Sequence, residues 1–151
     1  SKYDYEVLYI DKEMLSTNLC NKLQYKNDLD NIFNYILKYF SSNKIGKKYA
    51  GIRSPKESKR MINNGFELDD FVPVELFYDD KVKLYLGVTS TGLANIEKGF
   101  IISISYLLHY IDENKRDKSV ANQERRKKSN IYYPKNLKEL DSLLNENFKR
   151  I

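Results

Sequence analysis

Two β-rich runs at the centre of the chain constrain the fold most. Residues 71–78 and 81–88 are rich in Val, Leu, Phe and Tyr, and Asp79-Asp80 between them suits a tight turn. In the second run, apolar residues alternate with Lys81, Lys83 and Tyr85, which predicts that one face packs on a core and the other faces water. The pattern therefore predicts a central antiparallel hairpin with Lys83 and Tyr85 exposed.

Apolar residues at helical spacing predict helices around this hairpin. They favour helices over residues 12–24, over 28–40 with Asn27 or Asp28 as the cap, over 95–110 and over 137–148. A Pro at its first position suggests a further short helix over 55–62, and residues 63–65 read as a turn. Short strands are predicted over 5–10, 49–52 and 131–133, with basic loops over 41–48 and 112–130. We therefore expect an α+β domain with a central antiparallel hairpin or sheet flanked by helices.

Size and composition limit the chain to few classes. Its 151 residues suit one domain, and 31% charged with 41% hydrophobic residues is typical of a globular protein. The single Cys20 excludes an internal disulfide, and the single His109 excludes a His-rich metal centre. The longest apolar stretch, residues 100–111, is too short to span a bilayer, and no signal peptide is visible, so a cytoplasmic location without membrane contact is expected. The last helical pattern has no stop signal, which suggests a domain excised from a longer protein.

Charge is distributed in blocks along the chain. Residues 41–60 carry seven Lys or Arg and one Glu, net +6, whereas residues 61–80 carry six acidic residues and no base. Residues 114–128 return to a net +5. Two basic blocks around a less basic core predict a surface for a polyanion, although solvated basic loops would give the same pattern.

These blocks, the exposed face of the hairpin and the hydroxyl-rich loop that follows it predict a DNA surface. Phosphate contacts from Lys and Arg would supply affinity, and a tyrosine beside them would contact a base or sugar. The candidate DNA-binding residues are Lys44, Lys47, Lys48, Arg53, Lys83, Tyr85, Thr89, Ser90, Thr91, Arg125, Arg126, Lys127 and Lys128.

Catalytic patterns are weaker. The acidic block offers carboxylates for a metal-dependent nuclease, namely Glu67, Asp69, Asp70, Glu75 and Asp80, but a solvated acidic turn explains the pattern better. His109 ends an apolar stretch and Cys20 lies among leucines, so both are interpreted as packing or surface residues rather than catalysts. The absence of both G-x-x-x-x-G-K-[ST] and G-x-G-x-x-G argues against nucleotide hydrolysis.

The central segment resembles a known family. Residues 72–91 read VPVELFYDDKVKLYLGVTST, and this run is similar to the N-terminal DNA-binding domain of McrB-type modification-dependent restriction systems. The likeness is carried by Pro73, Val74, Leu76, Tyr78, Leu84, Leu86, Gly87, Val88, Thr89 or Ser90, and Thr91. Lys127-Lys128 followed by Ile131-Tyr132-Tyr133 and a terminal helix is also similar.

The resemblance implies a domain that extrudes a modified base from the duplex and holds it in an apolar pocket. It places that pocket at Phe71, Leu76 and Tyr78. The expected function is a non-catalytic DNA-recognition domain of a restriction or defence system, with double-stranded DNA and further domains or a nuclease subunit as partners. No metal or cofactor is expected. The alternatives are a metal-dependent nuclease domain, and a protein-binding module of the anti-defence or immunity type that uses the acidic block.

Overall fold

All strands among the described residues lie parallel in one sheet. The computed structural model describes residues 5–11, 14, 18–42, 44–49, 65–68, 74–88, 93–126 and 130–151. The strands are β1 (Val7–Asp11), β2 (Ile45–Tyr49), β3 (Gly65–Glu67), β4 (Leu84–Gly87), β5 (Phe100–Ser103) and β6 (Ile131–Tyr132). Their order across the sheet is β3-β2-β1-β4-β5-β6, and every neighbouring pair is parallel. The fold of the described residues is therefore α/β.

The described residues include three α-helices and three short 3₁₀ helices beside the sheet. The α-helices are α1 (Lys22–Ile36), α2 (Glu113–Arg126) and α3 (Leu137–Asn147). The 3₁₀ helices cover Leu37–Tyr39, Val74–Phe77 and Ser105–Leu107.

Both faces of the sheet are buried, which explains why its central strands consist of nearly unbroken apolar runs. Every residue of β1 and of β4 is buried. On one face Val7 and Tyr9 join a core formed with the apolar side of α1 and with Leu140 and Leu144 of α3. On the other face Leu8 and other strand residues form a second core with the segment around Leu93 and Ile96.

The predicted hairpin is wrong. Residues 74–77 form a 3₁₀ helix rather than a strand, and β4 pairs in parallel with β1 and β5 instead of turning back on a preceding strand. The turn at Asp79 does form, since its carboxylate accepts a hydrogen bond from the backbone nitrogen of Lys81 at 2.9 Å. The turn is followed by β4, and at the start of this strand the backbone nitrogens of Lys83 and Leu84 donate hydrogen bonds to the carbonyl of Glu6, just before β1. The alternation in residues 81–88 predicts an antiparallel sheet, but the sheet is parallel.

The first helix and the second strand differ from their predicted bounds. Asn21 caps α1 by accepting hydrogen bonds from the backbone nitrogens of Leu23 and Gln24, so this helix begins near the end of the segment predicted over 12–24 and continues into the one predicted over 28–40. Residues 12, 13 and 15–17 lie outside the described residues. Asp28, expected as a cap, lies inside that helix and is buried. Strand β2 starts at Ile45, within a segment predicted as a basic loop, and ends at Tyr49.

Two predictions in the second half of the chain are also wrong. The helix predicted over 95–110 is replaced by β5 and a 3₁₀ helix, and Gly99, with a φ of +105°, begins the change of direction before the strand. The loop predicted over 112–130 is mostly the helix α2, whose start is marked by Asp112 accepting a hydrogen bond from the backbone nitrogen of Asn114 at 2.9 Å. Its sequence is rich in Lys, Arg, Glu and Gln, which favour helices even without an apolar stripe.

The structure confirms the first and the last strand along the chain and the last helix. The strands predicted over 5–10 and 131–133 correspond to β1 and β6, and the terminal amphipathic helix corresponds to α3. The helix predicted over 55–62 and most of the turn over 63–65 lie outside the described residues.

Candidate functional site

The order of the strands singles out one place on the sheet. Going outward from β1, the chain adds β2 and β3 on one side and then β4, β5 and β6 on the other. In open parallel sheets this reversal leaves a crevice beyond the carboxyl ends of the two central strands, and ligands bind there. In this chain those strands are β1, which ends at Asp11, and β4, which ends at Gly87.

A buried ion pair occupies the end of β1. The Nζ atom of Lys47 on β2 lies 3.0 Å from Oδ2 of Asp11, and the two residues are 3% and 1% exposed. Tyr25 of α1 donates a hydrogen bond to Oδ1 of Asp11 at 2.8 Å, and its hydroxyl lies 2.6 Å from that of Tyr9. Because β1 and β2 are parallel with Tyr9 beside Lys47, these side chains reach the same face of the sheet, under the first turns of α1.

The two tyrosines of this cluster remain protonated. Burial raises the pKa of Tyr9 well above its ordinary value, and the negative charge of Asp11 raises it further. Burial also raises the pKa of Tyr25 well above its ordinary value, with added contributions from Tyr9 and Asp11. The hydroxyls are therefore available as hydrogen-bond donors to the Asp11 carboxylate, which stabilises a charge that would be costly to bury alone.

A second polar cluster lies where β5 ends. The hydroxyls of Ser103 and Ser105 are 2.8 Å apart, and both donate to the carbonyl oxygen of Val88, at 3.2 Å in the case of Ser103. Both serines are buried. They satisfy a carbonyl at the end of β4, so their hydroxyls are already committed and their role here is structural.

Cys20 is buried in the same core as Tyr9 and Tyr25 and does not act as a nucleophile. Burial, with a smaller contribution from the charge of Asp28, raises the pKa of its thiol to about 12. The thiolate is the reactive form of cysteine, so this side chain stays unreactive near neutral pH. The structure thus agrees with the interpretation of Cys20 as a packing residue.

An accessible depression opens beside the start of α1. It has a volume of about 330 Å³ and is lined by Asn21, Leu23, Gln24, Asn27, His109, Tyr110 and Ile111. The lining combines three side-chain amides with the edges of apolar residues. Its two walls are held together by a backbone hydrogen bond from Ile111 to the carbonyl of Leu19 at 2.9 Å.

His109 is anchored at the rim of this depression by the buried Asp28. One carboxylate oxygen accepts a hydrogen bond from the backbone nitrogen of His109, and the other lies 2.8 Å from its ring Nδ1. Gln24 donates its side-chain amide to the same carboxylate at 3.0 Å. The His109 side chain is nevertheless 70% exposed, whereas that of Asp28 is 5% exposed. At this exposure His109 agrees with the interpretation as a surface residue rather than as a packing residue, and its contact with Asp28 was not predicted.

The structure brings few of the predicted DNA-binding residues together. Lys44 is exposed before β2, whereas Lys47 is buried and paired with Asp11, so the expectation that Lys47 contacts phosphate is wrong for this arrangement. Lys83 is exposed and lies 2.9 Å from Glu6. Tyr85 is only 2% exposed, which overturns the predicted exposed face, since β4 has neighbours on both sides and a core on both faces.

The remaining basic candidates lie partly outside the described residues. Arg125 is exposed on α2, and Arg126 ends the same helix. The side chains of Lys48 and Arg126 lie outside the described part, as do the residues Arg53, Thr89, Ser90, Thr91, Lys127 and Lys128.

The proposed base pocket does not form from its described members. Leu76 is 71% exposed on its 3₁₀ helix. Tyr78 instead packs edge-on against Tyr85, with ring centroids 5.5 Å apart, and lines a separate depression of about 250 Å³ together with Asp79 and Asp80. Phe71 lies outside the described residues.

The nuclease alternative gains no metal site from the described residues. Asp80 is exposed at the turn before β4, and the side chains of Glu67 and Glu75 as well as Asp69 and Asp70 lie outside the description. Within the ranges that are described, no three acidic, His or Cys side chains converge as metal ligands would.

Sequence reasoning missed Asp11 and Asp28 as site residues. A signal for Asp11 was present, because an unbroken apolar run ending in an acidic residue is typical of a buried parallel strand whose carboxyl end carries function. Lys47 and Asp28 had no such signal, since their partners are distant in sequence and are brought close only by the parallel pairing and by the approach of residue 109 to α1.

Comparisons with known proteins leave the family open. No protein-family model, curated protein or solved structure was found to match this chain. Among the helices that the structure describes, none has the length and apolar character required to cross a bilayer.

Proposed function

We propose that this domain binds a small nucleoside-type ligand at the carboxyl edge of its sheet, in the depression beside α1. The observation that carries the proposal is the strand order β3-β2-β1-β4-β5-β6, the order of doubly wound sheets that bind nucleotides at the reversal point. The ligand class is inferred by analogy with other sheets of this strand order. The binding site is assigned to the depression because polar side chains line it.

The depression suits a compact, planar molecule. Its volume of about 330 Å³ lies at the small end of the range of about 300–1,000 Å³ for ligand sites. Asn27 offers an amide group that can both donate and accept, as the edge of a nucleobase requires. Asn21 retains its amide nitrogen as a donor, because its Oδ1 caps α1, and Gln24 retains its Oε1 as an acceptor, because its Nε2 donates to Asp28. Leu23 and Ile111 are 68% and 64% exposed and provide apolar surface for its faces.

The connection between β1 and α1 argues against a dinucleotide. Residues 12–20 contain no glycine, so this connection lacks the fingerprint that lets a backbone approach a pyrophosphate. The first-turn nitrogens of Leu23 and Gln24 already donate to the side chain of Asn21 and are not available to a phosphate. Recognition through the base and sugar, rather than through phosphates, follows from both observations.

Thermal melting with added ligand tests this proposal. Wild-type protein is titrated with adenosine, guanosine, cytidine and uridine, with their monophosphates and with NAD. A bound nucleoside at 100 times its Kd stabilises the native state by about 2.7 kcal/mol. Asn27→Ala should weaken the shift, and Asn34→Ala, a matched change on the same helix but away from the depression, should not. No shift with any of these compounds would contradict the proposal.

DNA recognition remains a second candidate because of one feature of α2. Lys115, Lys118, Asn122 and Arg125 follow each other at intervals of three or four residues, so they share one side of the helix over about 15 Å. This side is opposite to Val120, which is fully buried. Asp117 and Glu124 lie on other sides of the helix. We refer to Lys115, Lys118, Asn122 and Arg125 as the cationic face of α2.

The cationic face of α2 fits contacts to DNA phosphates. Within this candidate function, the chain is a non-catalytic recognition domain of a cytoplasmic restriction or defence system, and catalysis belongs to a partner. Residues 74–88 do not form the predicted hairpin, and Leu76 and Tyr78 do not line a common pocket. Contacts to the DNA backbone rather than base flipping would therefore supply the affinity.

Fluorescence anisotropy with labelled duplexes at several salt concentrations tests DNA recognition. Each phosphate contact contributes a slope of about 0.9 log units of affinity per log unit of salt. Replacing Lys115 and Lys118 by Gln should remove about two phosphate contacts and reduce the slope by the contribution of those two contacts. The matched double change Lys26→Gln and Lys138→Gln, on other helices, should leave it unaltered. Equal slopes for wild type and both double variants would show that the cationic face of α2 does not contact DNA.

A further inference from the structure

We propose that Asp28 and His109 form a proton-transfer pair in which Nε2 of His109 takes a proton from a hydroxyl group or water at the depression beside α1. This inference rests on the proposed function in one respect, because the molecule that supplies the hydroxyl is the ligand bound in that depression. His109 is the catalytic residue of the pair, and Asp28 is the positioning residue.

The hydrogen bonds fix which ring nitrogen is basic. A carboxylate can only accept, so the 2.8 Å contact between Oδ1 of Asp28 and Nδ1 of His109 places the hydrogen of the neutral ring on Nδ1. The amide nitrogen of Gln24 is 3.5 Å from Nδ1 but 3.0 Å from the carboxylate, and therefore donates to the carboxylate. The lone pair of the neutral imidazole is left on Nε2.

The ring is held at two points while remaining accessible. The second oxygen of Asp28 accepts the backbone nitrogen of His109 at 2.8 Å, so both the main chain and the ring of one residue are bound by a single carboxylate. At 70% exposure, the side chain can exchange protons with bound molecules and with water. A fixed tautomer, a fixed position and an exposed side chain are the properties of a histidine that acts as a general base.

A purely structural role explains the contact between Asp28 and His109 less well. Exposed ion pairs contribute about 0–1 kcal/mol to stability, whereas burying a carboxylate carries a larger desolvation cost. The backbone hydrogen bond alone would join residue 109 to α1, and an asparagine could accept it. The ring contact therefore orders an exposed imidazole without a matching gain in packing.

The chemical step is a proton transfer that needs no further reactant. The O–H bond of the ligand or water breaks, its proton moves to Nε2, and the electron pair stays on the oxygen, which becomes an alkoxide or hydroxide. The resulting imidazolium keeps its Nδ1–H bond to Asp28, whose charge stabilises it.

The single histidine of the chain permits a direct test with the intact protein. Hydrolysis of p-nitrophenyl acetate, which releases acetate and p-nitrophenol, measures the reactivity of Nε2. The test compares wild type with His109→Gln, Asp28→Asn and the control Asp30→Asn, which changes a carboxylate on the same helix that is paired with Lys26. In the same samples, the ¹⁵N shifts of the ring report which nitrogen carries the hydrogen.

We expect His109→Gln to lower the rate to the uncatalysed level and Asp28→Asn to lower it about tenfold or more while moving the ring hydrogen away from Nδ1. Asp30→Asn should match wild type. Circular dichroism confirms that each variant is folded, and His109→Asn provides a second ring deletion if the first unfolds. An Asp28→Asn variant with the rate and tautomer of wild type would overturn the proposal.

The nucleoside titration separates this inference from the proposed function. If nucleosides bind but hydrolysis does not depend on Asp28, the ligand site stands and the proton-transfer pair is wrong. If no nucleoside binds but both the rate and the tautomer depend on Asp28, the pair stands and the assigned ligand is wrong.

Discussion

Asp11 and Lys47 face each other from adjacent parallel strands, with 3.0 Å between Oδ2 and Nζ, and neither is more than 3% exposed. An ion pair buried to this degree gains Coulomb energy in a medium of low dielectric constant but loses the hydration of both ions. Its main effect on stability appears when one partner is removed, because the other charge is then left in the interior without compensation.

We therefore expect Lys47→Met to reduce the free energy of unfolding by about 3–5 kcal/mol. The double variant Lys47→Met with Asp11→Leu should recover much of this loss, because no uncompensated charge remains. Urea unfolding at pH 7 measures both effects. Lys83→Met is the matched control, since Lys83 pairs with Glu6 at 2.9 Å but is 59% exposed, and it should cost less than about 1 kcal/mol. Similar losses for Lys47→Met and Lys83→Met would contradict the prediction.

The fold could be predicted from the sequence only in part. Apolar segments correctly predicted β1, β6 and α3 and indicated a strand near β4, because the buried residues of these elements are apolar and close together in the sequence. The parallel pairing could not be read in the same way, since the alternation of Lys81, Lys83 and Tyr85 imitates an antiparallel edge. Tyr85 is buried because its ring packs edge-on against Tyr78, which precedes β4, and lies beside Gly99, which precedes the neighbouring strand β5.

The candidate site was less predictable than the fold. The sequence predicted Lys47 as a DNA contact because of its charge and Asp28 as a helix cap, and it predicted burial for neither residue. Their burial depends on partners 36 and 81 residues away in the chain, Asp11 and His109. A charged residue gives no local sign that its counter-charge will be brought to it by the tertiary fold.

Alkaline pH should destabilise the protein through Tyr9 and Tyr25. Their pKa values are raised by burial in the folded state, whereas in the unfolded chain both titrate near 10. Between the unfolded and folded pKa values the unfolded chain binds fewer protons, so stability is complete below about pH 10 and falls as pH rises above it, by about 1.4 kcal/mol per pH unit for each tyrosine.

Tyr9→Phe should make this loss shallower, although it lowers stability at pH 7 by about 1 kcal/mol through the lost hydrogen bond to Tyr25. Urea unfolding between pH 8 and 11 gives the slope, and phenolate absorbance reports ionisation directly. Tyr132→Phe, at a 43% exposed position, should leave the slope as in wild type. An alkaline slope that is the same in Tyr9→Phe and wild type would show that other groups dominate.

Gly99 should resist substitution for two separate reasons. Its φ of +105° is rarely adopted by residues with a side chain, and an added Cβ would approach Cε2 of Tyr85 to 2.6 Å. We expect Gly99→Ala to lower the free energy of unfolding by about 1–3 kcal/mol. In a Tyr85→Ala background the steric part disappears, so the same substitution should cost less. Equal costs in both backgrounds would assign the whole effect to the backbone.

Helix α2 should be the least stable helix of the described fold. Val120 is its one fully buried apolar side chain among the described residues, and the helix packs mainly against the 3₁₀ helix Ser105–Leu107. Helices of this length depend on tertiary packing rather than on propensity, so a helix with one anchoring residue opens locally at low cost.

Val120→Ala removes two methyl groups from this contact, which corresponds to about 2 kcal/mol of lost burial and packing. We expect amide hydrogen exchange to accelerate by about thirtyfold across α2 while α1, anchored by Leu29, Ile32 and Phe33, keeps its wild-type rates. Ala121→Gly, an exposed change in the same helix, separates propensity from anchoring: it should cost only about 1 kcal/mol. If Val120→Ala instead accelerates exchange equally in α1 and α2, the two helices unfold as one unit, and the cationic face of α2 is carried by the main core rather than by a separately opening element.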